Sequence, residues 1–323
     1  MQFTHLGRSG LSVSRLCLGT MNFGPQTAEE DAHSIMDAAL DAGINFFDTA
    51  NVYGGVEHRG WTEEILGRWF AKGGGRRERV VLATKLYGGM SERPNDSKLS
   101  ALNIRRALEA SLKRLQTDYI DLYQFHHIDR ETPWDEIWQA IDVAVQQGKI
   151  IYSGSSNFAG WHIAQAQESA QRRNYTGLVS EQSIYNLLTR QVELEVIPAA
   201  QRYGLGILPW SPLHGGLLGG VLKKQETGVR RIEGRALDAL KKHEDAIRHY
   251  EKFADDLGHA PGDIALAWLL HQPGVTAPIV GPRTQEQLDA ALRALDVTLD
   301  ADALAKLDTI FPGHKSAPED YAW

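Results

Sequence analysis

The sequence predicts an α/β fold, a (β/α)8 or TIM barrel, because short apolar runs alternate eight times with segments of helical periodicity. The runs are rich in β-branched and aromatic residues, as strands are. Regular alternation with helices is typical of a parallel sheet covered by helices, and eight units close such a sheet into a barrel. The eight predicted strands are Leu16 to Thr20, Asn45 to Thr49, Val80 to Lys85, Ile120 to His126, Ile150 to Ser156, Gly177 to Gln182, Gly206 to Ser211 and Ala277 to Gly281.

The segments between the strands carry helix signals. Leu108 and Leu112 recur at the spacing of one helix face in the segment after the third strand. Pro133 suits the first turn of the next helix, and Gly148 and Gly204 stand where helix C-caps are expected. These signals predict the outer helices of the barrel.

At 323 residues the chain is longer than a bare barrel of ~250 residues, so it has room for additions. Phe3 to Leu6 and Leu11 to Val13, joined by GRSG, predict a β-hairpin before the barrel. Leu213 to Gly274 lies between strands seven and eight and is too long for one helix. It predicts extra helices in that connection, and a further helix is expected at the C-terminus.

An open doubly wound sheet is the competing α/β fold. It requires a G-x-G-x-x-G fingerprint after an early strand, whereas the chain reads GTMNFGPQTAEE after strand one. No linker rich in proline, serine or charge divides the sequence, and no repeat beyond the strand and helix alternation is found. We therefore expect a single barrel domain over residues 1–323.

Composition disfavours several classes of partner. A formal net charge of -7 and a pI near 6.0 give no electrostatic reason to expect a nucleic acid or an anionic membrane. The start, MQFTHLGRSG, lacks the segments of a signal peptide, and no run approaches the ~18 apolar residues of a membrane span. Cys17 is the only cysteine, which excludes an internal disulfide. We expect a cytoplasmic protein.

Polar residues follow the predicted strands at the end where β/α barrels carry their reactive groups. Asp48 ends strand two, Tyr53 lies in the loop beyond it, Lys85 ends strand three and His126 ends strand four. The strand-five and strand-six ends supply further polar residues: Ser156, Asn157, Glu181 and Gln182. Because these ends converge on the barrel axis, we expect the side chains to share one rim.

Together these groups predict carbonyl chemistry. A phenol is a weak acid at neutral pH, and the adjacent ammonium of Lys85 brings the pKa of Tyr53 toward the working range. Asp48 supplies the counter-charge that keeps a buried lysine protonated, and His126 can donate a hydrogen bond to a carbonyl oxygen. The set describes protonation of a carbonyl oxygen while a hydride from a nicotinamide attacks the carbon.

Each residue taken singly has a structural alternative. Asp48 can cap the following turn, Lys85 can be an exposed strand terminus, and Tyr53 can pack on the barrel mouth. Their joint occurrence on successive strands favours a reactive site. His126 is chosen over His127 because strand alternation turns only one of them inward, and Gln124 shares the side of His126. Since the two histidines then point in opposite directions, no metal site is expected.

With these residues in place, the chain resembles the aldo-keto reductase superfamily, and within it the bacterial and potassium-channel β-subunit-like branch. The resemblance covers nearly the whole chain. It is carried, in order, by GLSVSRLCLGTMNFG, FFDTANVYG, EEILGRWF, VLATK, YIDLYQFH, SSNF, SEQSIYN, PWSPLHGGLLGG and IVGPRTQEQL. It implies that Asp48, Tyr53, Lys85 and His126 form the catalytic tetrad, with Tyr53 the acid in reduction and the base in oxidation.

The resemblance also implies a cofactor, NADPH rather than NADH. Arg283 would meet the 2′-phosphate, Trp210 would stack on the nicotinamide, and the run GGLLGG would fold over the pyrophosphate. Ala290 and Ala291 depart from the family, because they offer no hydrogen bond to the adenine. The full implied cofactor set is Gly19, Thr20, Met21, Asp48, Ser156, Asn157, Gln182, Trp210, Ser211, Pro212, Leu213, Gly215, Leu217, Gly281, Arg283 and Gln287.

The substrate is expected to be a small carbonyl compound of apolar or aromatic character. The predicted pocket residues are Phe23, Tyr53, Tyr87, His126 and His214, and further aromatic or apolar loop residues near the mouth are Met21, Trp61, Trp134, Tyr321 and Trp323. Two other functions stay open: an NADPH-bound regulatory subunit with weak turnover, and a metal-dependent barrel hydrolase or lyase. A homo-oligomer also stays open, because composition does not separate an exposed helix face from an interface.

Overall fold

The structure is a computed structural model that describes residues 1–226, 235–317 and 319–322. Two short antiparallel strands precede eight parallel ones in these residues. The strands are β1 (Phe3–His5), β2 (Ser12–Ser14), β3 (Cys17–Gly19), β4 (Phe46–Asp48), β5 (Val81–Leu86), β6 (Ile120–Phe125), β7 (Ile150–Ser156), β8 (Leu178–Ile184), β9 (Gly206–Trp210) and β10 (Ile279–Val280).

The eight parallel strands form a nearly closed barrel, which confirms the predicted fold. Their order around the sheet is β10-β3-β4-β5-β6-β7-β8-β9, so each strand from β3 to β9 pairs with the next one in the chain, and β10 pairs with β3. The gap between β9 and β10 is bridged by Ile207 and Val275, and the Thr276 amide donates to the Ile207 carbonyl at 2.9 Å. All eight predicted strands are present, with ends shifted by a few residues.

Helices cover the outside of the barrel in the described residues. They are α1 (Glu29–Asp41), α2 (Trp61–Ala71), α3 (Ala101–Leu115), α4 (Trp134–Gln146), α5 (Gly160–Arg172), α6 (Val196–Tyr203), α7 (Val221–Glu226), α8 (Arg235–Asp256), α9 (Pro261–His271), α10 (Gln285–Arg293) and α11 (Ala301–Ile310). Short 3-10 turns span Gln191–Glu193, His214–Gly216 and Ala294–Asp296.

The helix signals in the sequence act as predicted. Leu108 and Leu112 lie on the buried face of α3, whose first turn is capped by the Ser100 hydroxyl. Pro133 immediately precedes α4, where its missing amide hydrogen costs nothing. Gly204 ends α6 in the left-handed conformation, with φ 71°.

The hairpin of β1 and β2 closes the amino-terminal end of the barrel. Leu6 and Val13 have no exposed surface and pack with Cys17 and Leu122 in a small apolar cluster inside the barrel. The larger apolar cluster lies between the strands and the helices. Because apolar side chains fill the lower barrel, the polar inward-facing residues are left at the opposite, carboxyl end.

The predicted additions are also present. The helices α7, α8 and α9 stand between β9 and β10, and α11 follows α10 at the C-terminus. Part of the predicted insertion, residues 227–234, lies outside the described residues. Among the helices of the described part of the chain, none combines the length and the apolarity needed to cross a membrane.

Candidate active site

A buried lysine joins three of the predicted residues at the carboxyl end of the barrel. Lys85, from β5, donates from Nζ to Asp48 Oδ1 at 2.5 Å and to Tyr53 Oη at 3.2 Å. Its third hydrogen bond goes to the Thr49 carbonyl at 2.9 Å, so all three ammonium donors are used. Lys85 has no exposed surface and Asp48 is only 3% exposed. The structure thus brings Asp48, Tyr53 and Lys85 into direct contact.

The loop after β4 fixes the backbone of Tyr53. The Tyr53 amide donates to the Ala50 carbonyl at 3.1 Å, and the Tyr53 carbonyl accepts from the Gly60 amide at 3.0 Å, at the start of α2. Gly54 has φ 125°, and a Cβ atom there would lie 2.3 Å from the His58 carbonyl oxygen. Only glycine fits this turn, which explains the glycine directly after the tyrosine.

Two amide side chains hold the other oxygen of Asp48. Asp48 Oδ2 accepts from Gln124 Nε2 at 3.0 Å and from Gln182 Nε2 at 2.9 Å. Gln182 Nε2 also lies 3.2 Å from Gln124 Oε1. Gln182 was predicted only as a cofactor contact, and Gln124 was not predicted as a site residue at all. The available signal was its position two residues before His126, on the inward face of β6.

Burial and charge act in opposite directions on the pKa values of Lys85 and Tyr53. Burial lowers the pKa of Lys85, but Asp48 and Tyr53 raise it, and the net pKa is above the ordinary value. Burial raises the pKa of Tyr53, and the opposing effect of Lys85 leaves it above its ordinary value. The predicted lowering of the Tyr53 pKa is therefore wrong for this structure, because desolvation exceeds the attraction to the ammonium. Tyr53 keeps its proton at neutral pH.

His126 faces Tyr53 across the site. The two ring centroids are 5.9 Å apart and the rings are nearly perpendicular, at 82°. Burial, followed by repulsion from Lys85 and His127, lowers the pKa of His126 to about 3. The imidazole is therefore neutral over the physiological range and can donate one hydrogen bond.

His127 does not point away from His126 as predicted. Their rings are parallel within 3°, with centroids 5.1 Å apart. The reason is that β6 ends at Phe125, so strand alternation no longer applies to the two histidines. The outer ring, His127, contacts the edge of Tyr87 at 5.3 Å. Among the described residues, no group of three or more His, Cys, Asp and Glu side chains is arranged to hold a metal ion.

Asn157 connects the ends of three strands. Its backbone is left-handed, with φ 58°. Asn157 Nδ2 donates to the His126 carbonyl at 3.2 Å and to Ser156 Oγ at 3.0 Å, while Oδ1 accepts from Trp210 Nε1 at 3.2 Å. Ser156, Asn157 and Trp210, all predicted as cofactor residues, therefore lie together beside His126.

The loop after β9 presents backbone rather than side chains. Pro212 is buried and Leu217 is 1% exposed, packing in a small apolar cluster with α7 and α8. Ser211 and Gly215 have left-handed backbones, with φ 54° and 63°. The Ser211 carbonyl is held by Asn186 Nδ2 at 3.0 Å. Leu213 is half-buried in the same turn.

The first loop and the last strand meet at the same rim. Thr20 Oγ1 donates to the Asp48 carbonyl at 2.9 Å, and Gly19 pairs with Asp48 across β3 and β4. Asn22 Nδ2 donates to the Gly281 carbonyl at 2.9 Å, a contact that the sequence did not predict. Met21, between these residues, is 58% exposed.

Arg283 and Gln287 lie at the start of α10. Both are exposed, and the Arg283 amide donates to Gln287 Oε1 at 2.8 Å. Arg283 Nη1 lies 3.2 Å from Gln26 Oε1, and the Thr284 hydroxyl caps the helix. This helix end exposes a guanidinium at a helix amino terminus, which suits an anion.

The predicted substrate pocket is brought together only in part. Tyr87 is half-buried beside His127, and His214 is half-buried with its Nδ1 3.2 Å from Thr189 Oγ1. Phe23 has no exposed surface and packs in the larger apolar cluster between the strands and the helices, so it presents nothing to solvent.

Three of the aromatic residues predicted near the mouth, Trp134, Tyr321 and Trp323, differ in their surroundings. Trp134 packs against Phe125, Trp138 and Phe158 on the helix side of the barrel. Tyr321 is 78% exposed. Trp323 lies outside the described residues.

The geometry defines what this site can do chemically. It combines a protonated phenol, an ammonium fixed against it, a carboxylate held by two amides, and a neutral imidazole. Such a set can give a proton to an oxygen atom placed between the phenol and the imidazole. The ammonium can then stabilise the phenolate that remains.

Comparison with known proteins gives matches over the whole chain. Residues 15–311 match the sequence model of the Aldo/keto reductase family. The chain is 54% identical over 328 residues to "Uncharacterized oxidoreductase YrpG" of Bacillus subtilis (strain 168), covering 100% of both proteins. It is 35% identical over 336 residues to "Probable voltage-gated potassium channel subunit beta" of Oryza sativa subsp. japonica, covering 99% and 100%. It is 32% identical over 350 residues to "Versiconal hemiacetal acetate reductase" of Aspergillus parasiticus, covering 98% and 100%.

Proposed function

The chain belongs to the Aldo/keto reductase family, and from that premise we propose that it is an NADPH-dependent oxidoreductase that reduces aldehydes or ketones to alcohols. The observation that carries the proposal is the position of Lys85 Nζ, which is hydrogen-bonded to both Tyr53 Oη and Asp48 Oδ1. Carbonyl reduction needs a proton donor whose conjugate base is stabilised, and this contact provides one.

Tyr53 acts as the general acid of reduction. It is protonated at neutral pH, and its proton passes to the carbonyl oxygen as negative charge develops there. Lys85 stabilises the phenolate that is left, and Asp48 keeps the lysine charged inside the protein. In the oxidation direction the same phenolate takes the proton back.

His126 orients the carbonyl group. Its neutral imidazole donates one hydrogen bond to the carbonyl oxygen and adds no competing positive charge. When bound, NADPH supplies the hydride that attacks the carbonyl carbon. The protein places the acid and the hydrogen-bond donor around the oxygen.

The nicotinamide ring is assigned to the ends of β7, β8 and β9. Ser156 and Asn157 present polar side chains there, and Trp210 offers a partly exposed indole for stacking. Gln182 uses Nε2 for Asp48 and Gln124, which leaves its Oε1 atom for the carboxamide of the cofactor.

The phosphates are assigned to the two outer loops. Gly215 and Gly216 have left-handed backbones, with φ 63° and 92°, so amide groups can approach a pyrophosphate closely. Arg283 and Gln287 stand exposed at the start of α10, where a 2′-phosphate would meet a guanidinium and a helix amino terminus. This arrangement supports NADPH over NADH. The remaining proposed contacts are Gly19, Thr20, Met21, Ser211, Pro212, Leu213, Leu217 and Gly281.

The substrate side supports a carbonyl compound with a planar or apolar group. His127 and Tyr87 continue the aromatic surface outward from His126, and His214 stands half-buried on the β9 loop. The name of the Aspergillus relative is that of a reductase, which supports the reducing direction. The single, buried Cys17 supports a reducing, cytoplasmic location.

Tyr53→Phe tests the proposal, with Tyr203→Phe as a matched control. Both variants lose one phenol hydroxyl, and that of Tyr203 donates to Glu168 on the outer helices. We expect NADPH binding in both variants, measured by cofactor fluorescence, and loss of most turnover of 4-nitrobenzaldehyde in Tyr53→Phe alone. Turnover in Tyr53→Phe equal to that of the control would remove Tyr53 from the role of acid.

The resemblance to a channel subunit supports a second candidate, an NADPH-bound regulatory protein with weak turnover. It predicts recovery of a stable complex with a different protein from cell extract, together with negligible turnover over a broad panel of aldehydes and ketones. Ready turnover by the purified chain alone favours the reductase instead.

A further inference from the structure

Glu181 is a buried acid directly behind the candidate active site. The strands β7 and β8 pair Ser155 with Glu181 and Ser156 with Gln182. Because side chains alternate along a strand, Ser156 and Gln182 face the barrel mouth while Ser155 and Glu181 face the helices. Glu181 has no exposed surface, so it does not touch the cofactor or the substrate.

The carboxyl group of Glu181 accepts hydrogen bonds from one backbone amide and two serine hydroxyls. Glu181 Oε1 accepts from the Phe158 amide at 3.0 Å and from Ser183 Oγ at 2.6 Å. Glu181 Oε2 accepts from Ser155 Oγ at 2.5 Å. One side chain therefore ties the end of β7, the end of β8 and the residue after Asn157 to a single point.

This carboxyl group lacks the charge compensation that a buried acid ordinarily has. Glu63, also without exposed surface, pairs with Arg114 at 2.7 Å. The ion pairs of the described residues include no partner for Glu181. Burial raises the pKa of Glu181 to about 7, and hydrogen bonds from Ser155 and Ser183 oppose that rise only partly. Burial of an acid without a cation is costly, and hydrogen bonds from residues at the ends of β7 and β8 offset part of this cost.

The residue that Glu181 restrains is the one that connects the reactive groups. Asn157 sits between Ser156 and Phe158 with a left-handed backbone, and its amide donates to the Gln182 carbonyl at 3.0 Å. Its side chain bonds the His126 carbonyl and the Trp210 indole, each at 3.2 Å. A shift of the Asn157 turn would therefore move His126 and Trp210 together.

We propose that Glu181 is a positioning residue, which holds the Asn157 turn so that His126 and Trp210 keep their places on either side of the reaction centre. The inference rests on the proposed function, since the role of those two residues is assigned there. Its mechanism is geometric. The carboxyl oxygens accept from the Phe158 amide and from two serines, which fixes the helix side of the turn.

The test compares Glu181→Leu, Glu181→Gln and the control Glu63→Gln. Leucine removes the acceptors, whereas glutamine keeps one acceptor oxygen for Phe158 and Ser183 and can donate to Ser155. Glu63→Gln changes an equally buried acid that bonds Thr84 and Arg114. For each variant we would measure the midpoint of thermal unfolding, the dissociation constant of NADPH, and kcat and KM for 4-nitrobenzaldehyde.

We expect Glu181→Leu to lower kcat by on the order of 10- to 100-fold and to weaken NADPH binding, because small displacements of reacting groups cost rates of this size. Glu181→Gln should restore most of both losses. Glu63→Gln should lower the unfolding midpoint while leaving kcat and NADPH binding near the wild-type values. Wild-type kcat in Glu181→Leu, or a loss in Glu181→Gln as large as in Glu181→Leu, would overturn the proposal.

A readout without cofactor separates this proposal from the proposed function. We expect Glu181→Leu to change the tryptophan emission spectrum of the free protein. We expect a smaller change in a Trp210→Phe background, where Trp134, which packs on Phe158, still reports a shift of the turn. If the wild-type chain neither binds NADPH nor reduces any aldehyde, the proposed function fails while this spectral comparison still decides whether Glu181 positions Trp210. An emission spectrum unchanged by Glu181→Leu would contradict the positioning role.

Discussion

Replacing Lys85 by methionine removes the buried ammonium at the centre of the site. Asp48 Oδ1 then loses its partner while Asp48 remains 3% exposed. Removing one member of a buried ion pair costs about 3–5 kcal/mol, because the other charge is left uncompensated. Gln124 and Gln182 still donate to Asp48 Oδ2, so we expect a loss near the lower limit, about 3 kcal/mol of unfolding free energy.

Urea unfolding of Lys85→Met, Asp48→Asn and the double variant measures this loss. We expect the double variant to be more stable than the sum of the single losses predicts, since both members of one pair are then neutral. The pKa of Lys85 is raised on folding, so the pair stabilises fully below the unfolded-state pKa of about 10.4, and the stabilisation is lost only as pH rises through the folded value. Lys85→Met as stable as wild type at neutral pH, or strictly additive losses, would refute the buried ion pair.

Three further predictions address the cofactor, the imidazole and the packing. Arg283→Ala should weaken NADPH binding by about tenfold and NADH binding little, because in the proposed assignment the guanidinium contacts the 2′-phosphate, which NADH lacks. Equal weakening of both by calorimetry would contradict the assignment. Folding lowers the pKa of His126 to about 3, so between this value and the ordinary pKa the unfolded chain binds one more proton than the folded chain. Acidification from neutral pH to about pH 5 should therefore destabilise wild type more than His126→Asn, as measured by urea unfolding. Gly67→Ala would place a Cβ atom 2.0 Å from the Arg114 carbonyl oxygen, so it should lower the free energy of unfolding by about 1–3 kcal/mol despite the better helix propensity of alanine. Gly10 has open space around it, so Gly10→Ala should leave the midpoint of thermal unfolding unchanged.

The barrel could be predicted from sequence because its signals are local. Apolar runs bounded by turn residues located all eight strands, and the run from Ile150 to Ser156 matches β7 residue for residue. The predicted strand ends were less accurate, because the pattern of apolar residues does not show where hydrogen-bonded pairing begins and ends. The last strand was predicted as Ala277 to Gly281, but only Ile279–Val280 pair as a strand. Pro278 has no amide hydrogen to donate to a neighbouring strand.

The site was predictable where charged residues end strands, and less so where contacts depend on tertiary packing. Asp48 and Lys85 carry charged groups at strand ends, Tyr53 carries a phenol in the loop that follows Asp48, and the three meet in the structure. Gln124 was not predicted because an uncharged amide on a strand gives no signal of its own. The prediction that His126 and His127 point in opposite directions was wrong because it assumed that β6 extends past Phe125.

The direction of the Tyr53 pKa illustrates the same limit. From the sequence, the nearby ammonium was expected to lower the pKa of Tyr53. The larger effect is desolvation, which depends on how completely the surrounding loops bury the hydroxyl. A raised pKa keeps the phenol protonated and available as an acid. In the proposed mechanism, Tyr53 therefore keeps its proton until negative charge develops on the substrate oxygen.

Transfer of deuterium tests the central claim most directly. The wild-type chain and Tyr53→Phe would each be given 4-nitrobenzaldehyde and NADPH carrying deuterium at both C4 positions of the nicotinamide, and the alcohol would be analysed by mass spectrometry and NMR. We predict alcohol with deuterium on the former carbonyl carbon from wild type, and almost none from Tyr53→Phe although it still binds NADPH. Alcohol without deuterium from wild type, or equal deuterium transfer by both proteins, would contradict the account.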